Sequence, residues 1–139
     1  MPDQEEIIRE MGKRNSNLRK EFSELGKKTN HTNISMIVNE ITSAMEKYAS
    51  CLKRRKTNAN ISKHEDLGIS LFRVVKEPDP ESLQSVLLYI SGKILDEVQE
   101  DRKISKNLNS QCVNTYIDGL ESLRINIEYL YHNLVEKQL

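Results

Sequence analysis

Residues 35–52 read SMIVNEITSAMEKYASCL, and within them Ile37, Val38, Ile41, Met45, Tyr48 and Leu52 recur at steps of three and four. That is the period of an α-helix with one apolar face. No strand-type alternation of comparable length occurs elsewhere in the chain, so the fold class follows from this period. Upstream, Ile8, Met11, Leu18, Phe22 and Leu25 keep the same spacing and predict a helix over about 3–25, with Asn15 at the missing seam position. A polar residue in an apolar seam costs stability and fixes register. Residues 26–33 (GKKTNHTN) separate the two helices as a polar loop. Gly26 would cap the first helix, and Thr32 or Asn33 would accept from the free N–H groups of the second.

Downstream of Leu52 comes Lys53-Arg54-Arg55-Lys56, then Ile61, Leu67, Leu71, Phe72, Val74 and Val75 at weaker spacing. A long kinked helix over about 34–76 is expected; the alternative is a break near Thr57-Asn58-Ala59-Asn60, where helix propensity is low. Pro78 and Pro80 end this element at 77–80, with Asp79 as N-cap, Pro80 at the first helical position and Glu81 in the first turn. From Leu83 through Leu87, Ile90, Ile94, Val98, Leu108, Cys112, Tyr116, Leu120, Leu123, Ile127, Leu130 and Leu134 the period runs on without a proline. One helix over about 81–137 would be roughly 87 Å long, whereas a compact monomer of this size has a radius of gyration of about 14 Å. The stretch therefore either belongs to an elongated homodimer, which is the expectation, or breaks near Asn107-Leu108-Asn109-Ser110. The fold class is all-α: a single domain of three or four helices, including very long ones. Its dimer or partner seam would be built from Ile37, Ile41, Met45, Tyr48, Leu87, Ile90, Ile94, Leu120, Leu123, Ile127 and Leu130.

The chain has 139 residues, 37% hydrophobic and 5% aromatic, with 21 Lys+Arg against 21 Asp+Glu. No apolar run approaches the ~20 residues that span a bilayer. The acidic start Met1-Pro2-Asp3-Gln4-Glu5-Glu6 lacks the apolar core of a secretory leader, so the expected location is cytoplasmic, with peripheral membrane association. Cys51 and Cys112 lie far apart, as suits reduced thiols. His31, His64 and His132 are too scattered for a metal site, and Asp96, Glu97, Glu100 and Asp101 read as the solvated face of the last helix. No nucleophile–base pair or Gly-rich loop accompanies these residues, so neither an enzyme nor a cofactor is expected.

Charge is the more informative feature. Residues 1–76 carry 15 Lys+Arg and 10 Asp+Glu, and residues 77–139 carry 6 and 11. Between 13 and 63 there are 12 Lys+Arg and 4 Asp+Glu. The candidate basic patch comprises Lys27, Lys28, Lys53, Arg54, Arg55, Lys56 and Lys63, with Arg102, Lys103 and Lys106. Such clusters attract anionic lipid at about 1 kcal/mol per charge or nucleic-acid phosphates through counterion release; the plain alternative is a solvated helix face. Nucleic acid ranks last, because no aromatics interleave the cations and no recognition motif is present.

Two stretches resemble the BAR (Bin/amphiphysin/Rvs) family of dimeric membrane-curvature proteins. Tyr48-Ala49-Ser50-Cys51-Leu52-Lys53-Arg54-Arg55 through Leu67-Gly68-Ile69-Ser70-Leu71-Phe72 is similar to the first core helix and its small-residue end. Leu83 through Leu123, with Ile94-Leu95-Asp96-Glu97-Val98-Gln99-Glu100-Asp101-Arg102, is similar to the second. Together they cover residues 34–139. The resemblance implies three long helices per protomer, a six-helix antiparallel homodimer and a cationic surface for anionic membrane, sensing or shaping curvature. Lys53, Arg54, Arg55 and Lys56 would then lie on the first core helix, and Arg102, Lys103 and Lys106 midway along the second. The acidic second half departs from a uniformly basic face. The second expectation, of a different class, is a helical adaptor whose apolar stripes pair with another protein's helices.

Overall fold

The computed structural model describes residues 3–29, 32–54 and 80–137. Among them it is all-helical, with four helices: α1 (Gln4–Lys28), α2 (Thr32–Arg54), α3 (Pro80–Ile104) and α4 (Gln111–Lys137). Each is 23 to 27 residues long, about 35–40 Å at 1.5 Å per residue. The part of the expected 34–76 helix beyond Arg54, and Asp79 as N-cap, lie outside the described residues.

α1 starts where its chemistry directs. The Asp3 carboxylate accepts from the Glu6 amide at 2.8 Å, and Glu5 and Glu6 occupy the first turn, where acidic side chains complement the helix dipole. Its end corrects the expected loop at 26–33, since the helix continues through Lys28 to a C-cap at Thr29 in extended conformation. Gly26 is not the cap. It is a buried helical residue because Val38 of α2 packs on it, and a Cβ there would stand 3.2 Å from Val38 Cγ1.

The expected 81–137 helix is two helices. Ser105 turns its hydroxyl back to the Asp101 carbonyl at 2.6 Å, and the Leu108 amide reaches the Ser105 carbonyl at 2.9 Å. Asn107, Asn109 and Ser110, which compete with the backbone for hydrogen bonds, then fill the turn. Ser110 opens α4 by accepting from the Val113 amide at 3.4 Å. Leu108 packs partly buried against the core from within the turn, so the apolar period passes through a break in the backbone.

α1 packs on α2, α2 on α4, α4 on α3 and α3 on α1, the last seam being the least extensive. Gly26 meets Val38 while Asn15 meets Met45, so α1 and α2 are antiparallel. Glu21 meets Tyr89 while Arg14 meets Glu97, so α1 and α3 are too. Ser91 meets Glu128 while Arg102 meets Asp118, which sets α3 against α4. Neighbours are thus antiparallel and the diagonal pairs parallel. One pole of the bundle gathers the starts of α1 and α4 and the ends of α2 and α3, so Arg54 and Pro80 stand at opposite poles.

All eleven seam residues, from Ile37 to Leu130, are buried in one core within this single chain. The length argument for an elongated homodimer disappears with the 81–137 helix; the described residues form four helices of 23 to 27 residues, where the family resemblance implies three long ones.

Candidate functional site

Helix α1 presents three side chains that charge counting alone did not separate from the rest. Arg9 and Lys13 stand one turn apart beside the buried stripe and Arg19 lies further along α1; all three border the crease between α1 and α2. With Lys53 of α2 they ring an open groove of about 590 Å³. Its floor holds Ile8, Gly12, Ala49 and Leu52, and Glu5 and Glu46 stand at its margin. A Cβ on Gly12 would meet nothing within 4 Å, so the floor is open there. Arg19 is partly engaged, its Nε donating to Asn15 Oδ1 at 2.8 Å and its Nη1 lying 3.9 Å from Glu46.

The structure gathers only part of the expected basic patch. Lys53, Lys103 and Lys106 are exposed near one pole with Arg102, whose guanidinium is 3.8 Å from Asp118. Arg54 is the last residue of α2 at the same pole. Lys27 and Lys28 are exposed at the opposite pole, about 30 Å away along the helices. Arg55, Lys56 and Lys63 lie outside the described residues. Periodicity alone could have found Arg9, because it sits four residues before Lys13; counting charges in a window hid it.

Behind the groove lies a buried polar cluster. Asn15 is fully buried; its Nδ2 donates to the Met45 carbonyl at 3.3 Å and to the Tyr116 hydroxyl at 3.1 Å. On the far side of α1, Arg14 Nε stands 3.0 Å from Glu97 Oε1, and Nη1 3.9 Å from Asp101 Oδ1. Asp101 corrects the reading of a solvated acidic face, for it is 0% exposed and neither carboxyl oxygen accepts a hydrogen bond from a described residue. Burial, then the neighbouring Glu97 charge, push its carboxyl up to about 8 against the opposing pull of Arg14. The site therefore favours the neutral acid over the carboxylate. Burial, seconded by Asp101, likewise raises the Tyr116 hydroxyl, which stays neutral.

The outer face of α3 and α4 is different in kind. Leu88, Ile125 and Tyr129 are exposed. Arg124 bridges Glu121 and Glu128 at 2.6 Å each, which holds the Glu121 carboxyl below its ordinary value. Cys51 and Cys112 are buried free thiols. Among the described residues no group of three His, Cys, Asp or Glu could hold a metal ion, and no helix is long and apolar enough to cross a membrane. No protein-family model, curated protein or solved structure matches this chain.

Proposed function

We propose that the protein is a non-enzymatic helical module that binds anionic membrane surfaces through the α1–α2 groove. The observation that carries this reading is the groove itself, a concave apolar floor ringed by Arg9, Lys13, Arg19 and Lys53. Arg9, Lys13 and Lys53 make no ion pair with any described residue, so their charge is available to a ligand. Cations at a membrane surface each contribute about 1 kcal/mol, and an apolar floor favours the first carbons of a lipid over a bare phosphate. Lys103 and Lys106 are exposed at the same pole as Lys53, at the end of α3, the helix diagonal to α2, and do not flank the groove. The reading keeps the lipid chemistry implied by the family resemblance and sets aside its long helices.

The test is co-sedimentation with phosphatidylserine-containing vesicles at low and physiological salt, with neutral vesicles as control. Binding to anionic vesicles alone, weakening as salt screens the charges, is expected. The triple variant Arg9→Glu, Lys13→Glu, Lys53→Glu should lose it with helical content unchanged; equal binding by that variant refutes the groove. A second reading, an adaptor for another protein's helix, is favoured by the exposed Leu88, Ile125 and Tyr129. In that case replacing these three by Ser would abolish partner capture and leave vesicle binding intact.

A further inference from the structure

The α1–α3 seam is the least extensive of the four, and polar pairs cross it: Arg14 with Glu97 and Asp101, and Glu21 with Tyr89 and Lys93. At its inner edge sits the Asp101 carboxyl, fully buried, with no hydrogen-bond partner on either oxygen among the described residues. A carboxylate in that position is tolerated only as the neutral acid or beside a cation. The one cation facing it among the described residues, Arg14, is shared with Glu97, to which it lies closer.

We propose that Asp101 is a proton latch: protonated, it lets α1 close on α3, and on losing its proton it opens that seam. The groups facing it come from every side. α3 supplies Glu97 and Glu100, whose charges oppose ionisation, and α1 supplies Arg14, whose charge favours it. α4 supplies the Tyr116 hydroxyl, already engaged by Asn15. α2 contributes the Met45 carbonyl through Asn15, and its Tyr48 ring lies against Gly119 of α4. One cation against two neighbouring carboxylates leaves an ionised Asp101 undercompensated, and solvent reached by opening the seam is the available remedy. Glu97 sits one turn before Asp101, on the same face, so its charge raises the proton affinity of Asp101. The latch is independent of what the α1–α2 groove binds.

Two readouts on the intact chain test it. The first is a carbon-13 titration of the Asp101 side-chain carboxyl, for which a midpoint near 8 is expected; a midpoint near 4 overturns the proposal. The second is amide exchange protection of α1. If Asp101 titrates near 4 once the seam is open and near 8 when closed, linkage makes α1 protection fall by roughly a hundredfold between pH 6 and pH 9. In Asp101→Asn, which keeps a neutral side chain at every pH, that fall should vanish. The same fall in Asp101→Asn, or none in the wild type, overturns the latch. Should Asp101→Asn fold poorly, Glu97→Gln serves instead: removing the neighbouring charge should move both the titration and the loss of protection to lower pH. An unchanged midpoint in that variant refutes the coupling.

Discussion

At the scale of single residues, Asn15 and Asp101 carry the polar logic of the interior. Asn15 satisfies three partners, the Met45 carbonyl, the Tyr116 hydroxyl and the Arg19 guanidinium, at 3.3, 3.1 and 2.8 Å. Asn15→Ala strands the Tyr116 hydroxyl in a closed core and should cost about 1–3 kcal/mol, measured as a lowered urea midpoint with an unchanged slope. A loss below about 0.5 kcal/mol would mean that the hydroxyl finds another partner. For Asp101 the folded value lies above the unfolded one, so the stabilisation is complete below the ordinary carboxylate range and is lost as pH rises towards about 8. The slope over that window is at most about 1.4 kcal/mol per pH unit. Thermal unfolding of the wild type should fall in midpoint from pH 5 to pH 8, and Asp101→Asn should flatten the curve; parallel curves would contradict the assignment. Asn15 was legible in the sequence because it interrupts a regular stripe. Asp101 was harder: position 101 falls three residues after Val98 and seven after Ile94, on the buried stripe, but a carboxylate among Asp96, Glu97 and Glu100 looks solvated, and the residue type hid what the period placed inward.

At the scale of helices, two glycines make opposite predictions from the same substitution. Gly12 faces open space, so Gly12→Ala should stabilise α1 by up to about 1 kcal/mol through propensity alone. Gly119 of α4 lies under the fully buried Tyr48 ring, and a Cβ there would stand 2.8 Å from Tyr48 Cδ1. Gly119→Ala should therefore destabilise despite the same propensity gain, by about 1–3 kcal/mol for an overpacked core. Denaturant midpoints of the two variants should move in opposite directions; a common shift would contradict the packing at Tyr48. The helical period at 35–52 was readable because a buried face must repeat at 3.6 residues. The break at Ser105–Ser110 was harder, since Ile104, Leu108 and Cys112 keep helical spacing across it. Leu108 is apolar because the turn folds over the core, which a period cannot distinguish from continuation of the helix. The cap at Gly26 failed for a related reason: glycine serves close approach, here to Val38, as readily as it serves a turn.

At the scale of the whole molecule, the sequence stripes close on one another within one chain, so the apolar residues that suggested a partner are its own core. The all-α class was legible from period alone. The arrangement was not, because which helix neighbours which depends on the pole at which each begins. That arrangement sorts the cations: Lys53, Lys103 and Lys106 fall near one pole, Lys27 and Lys28 at the other, and Arg9, Lys13 and Arg19 line the crease between α1 and α2. Whether this crease meets anionic membrane can be read from paramagnetic broadening of amide signals in the presence of phosphatidylserine bicelles carrying a headgroup spin label. Broadening centred on residues 8–19 of α1 and 49–53 of α2, reversed by salt, is the predicted result. Broadening centred on Leu88, Ile125 and Tyr129, or none at low salt, would contradict it.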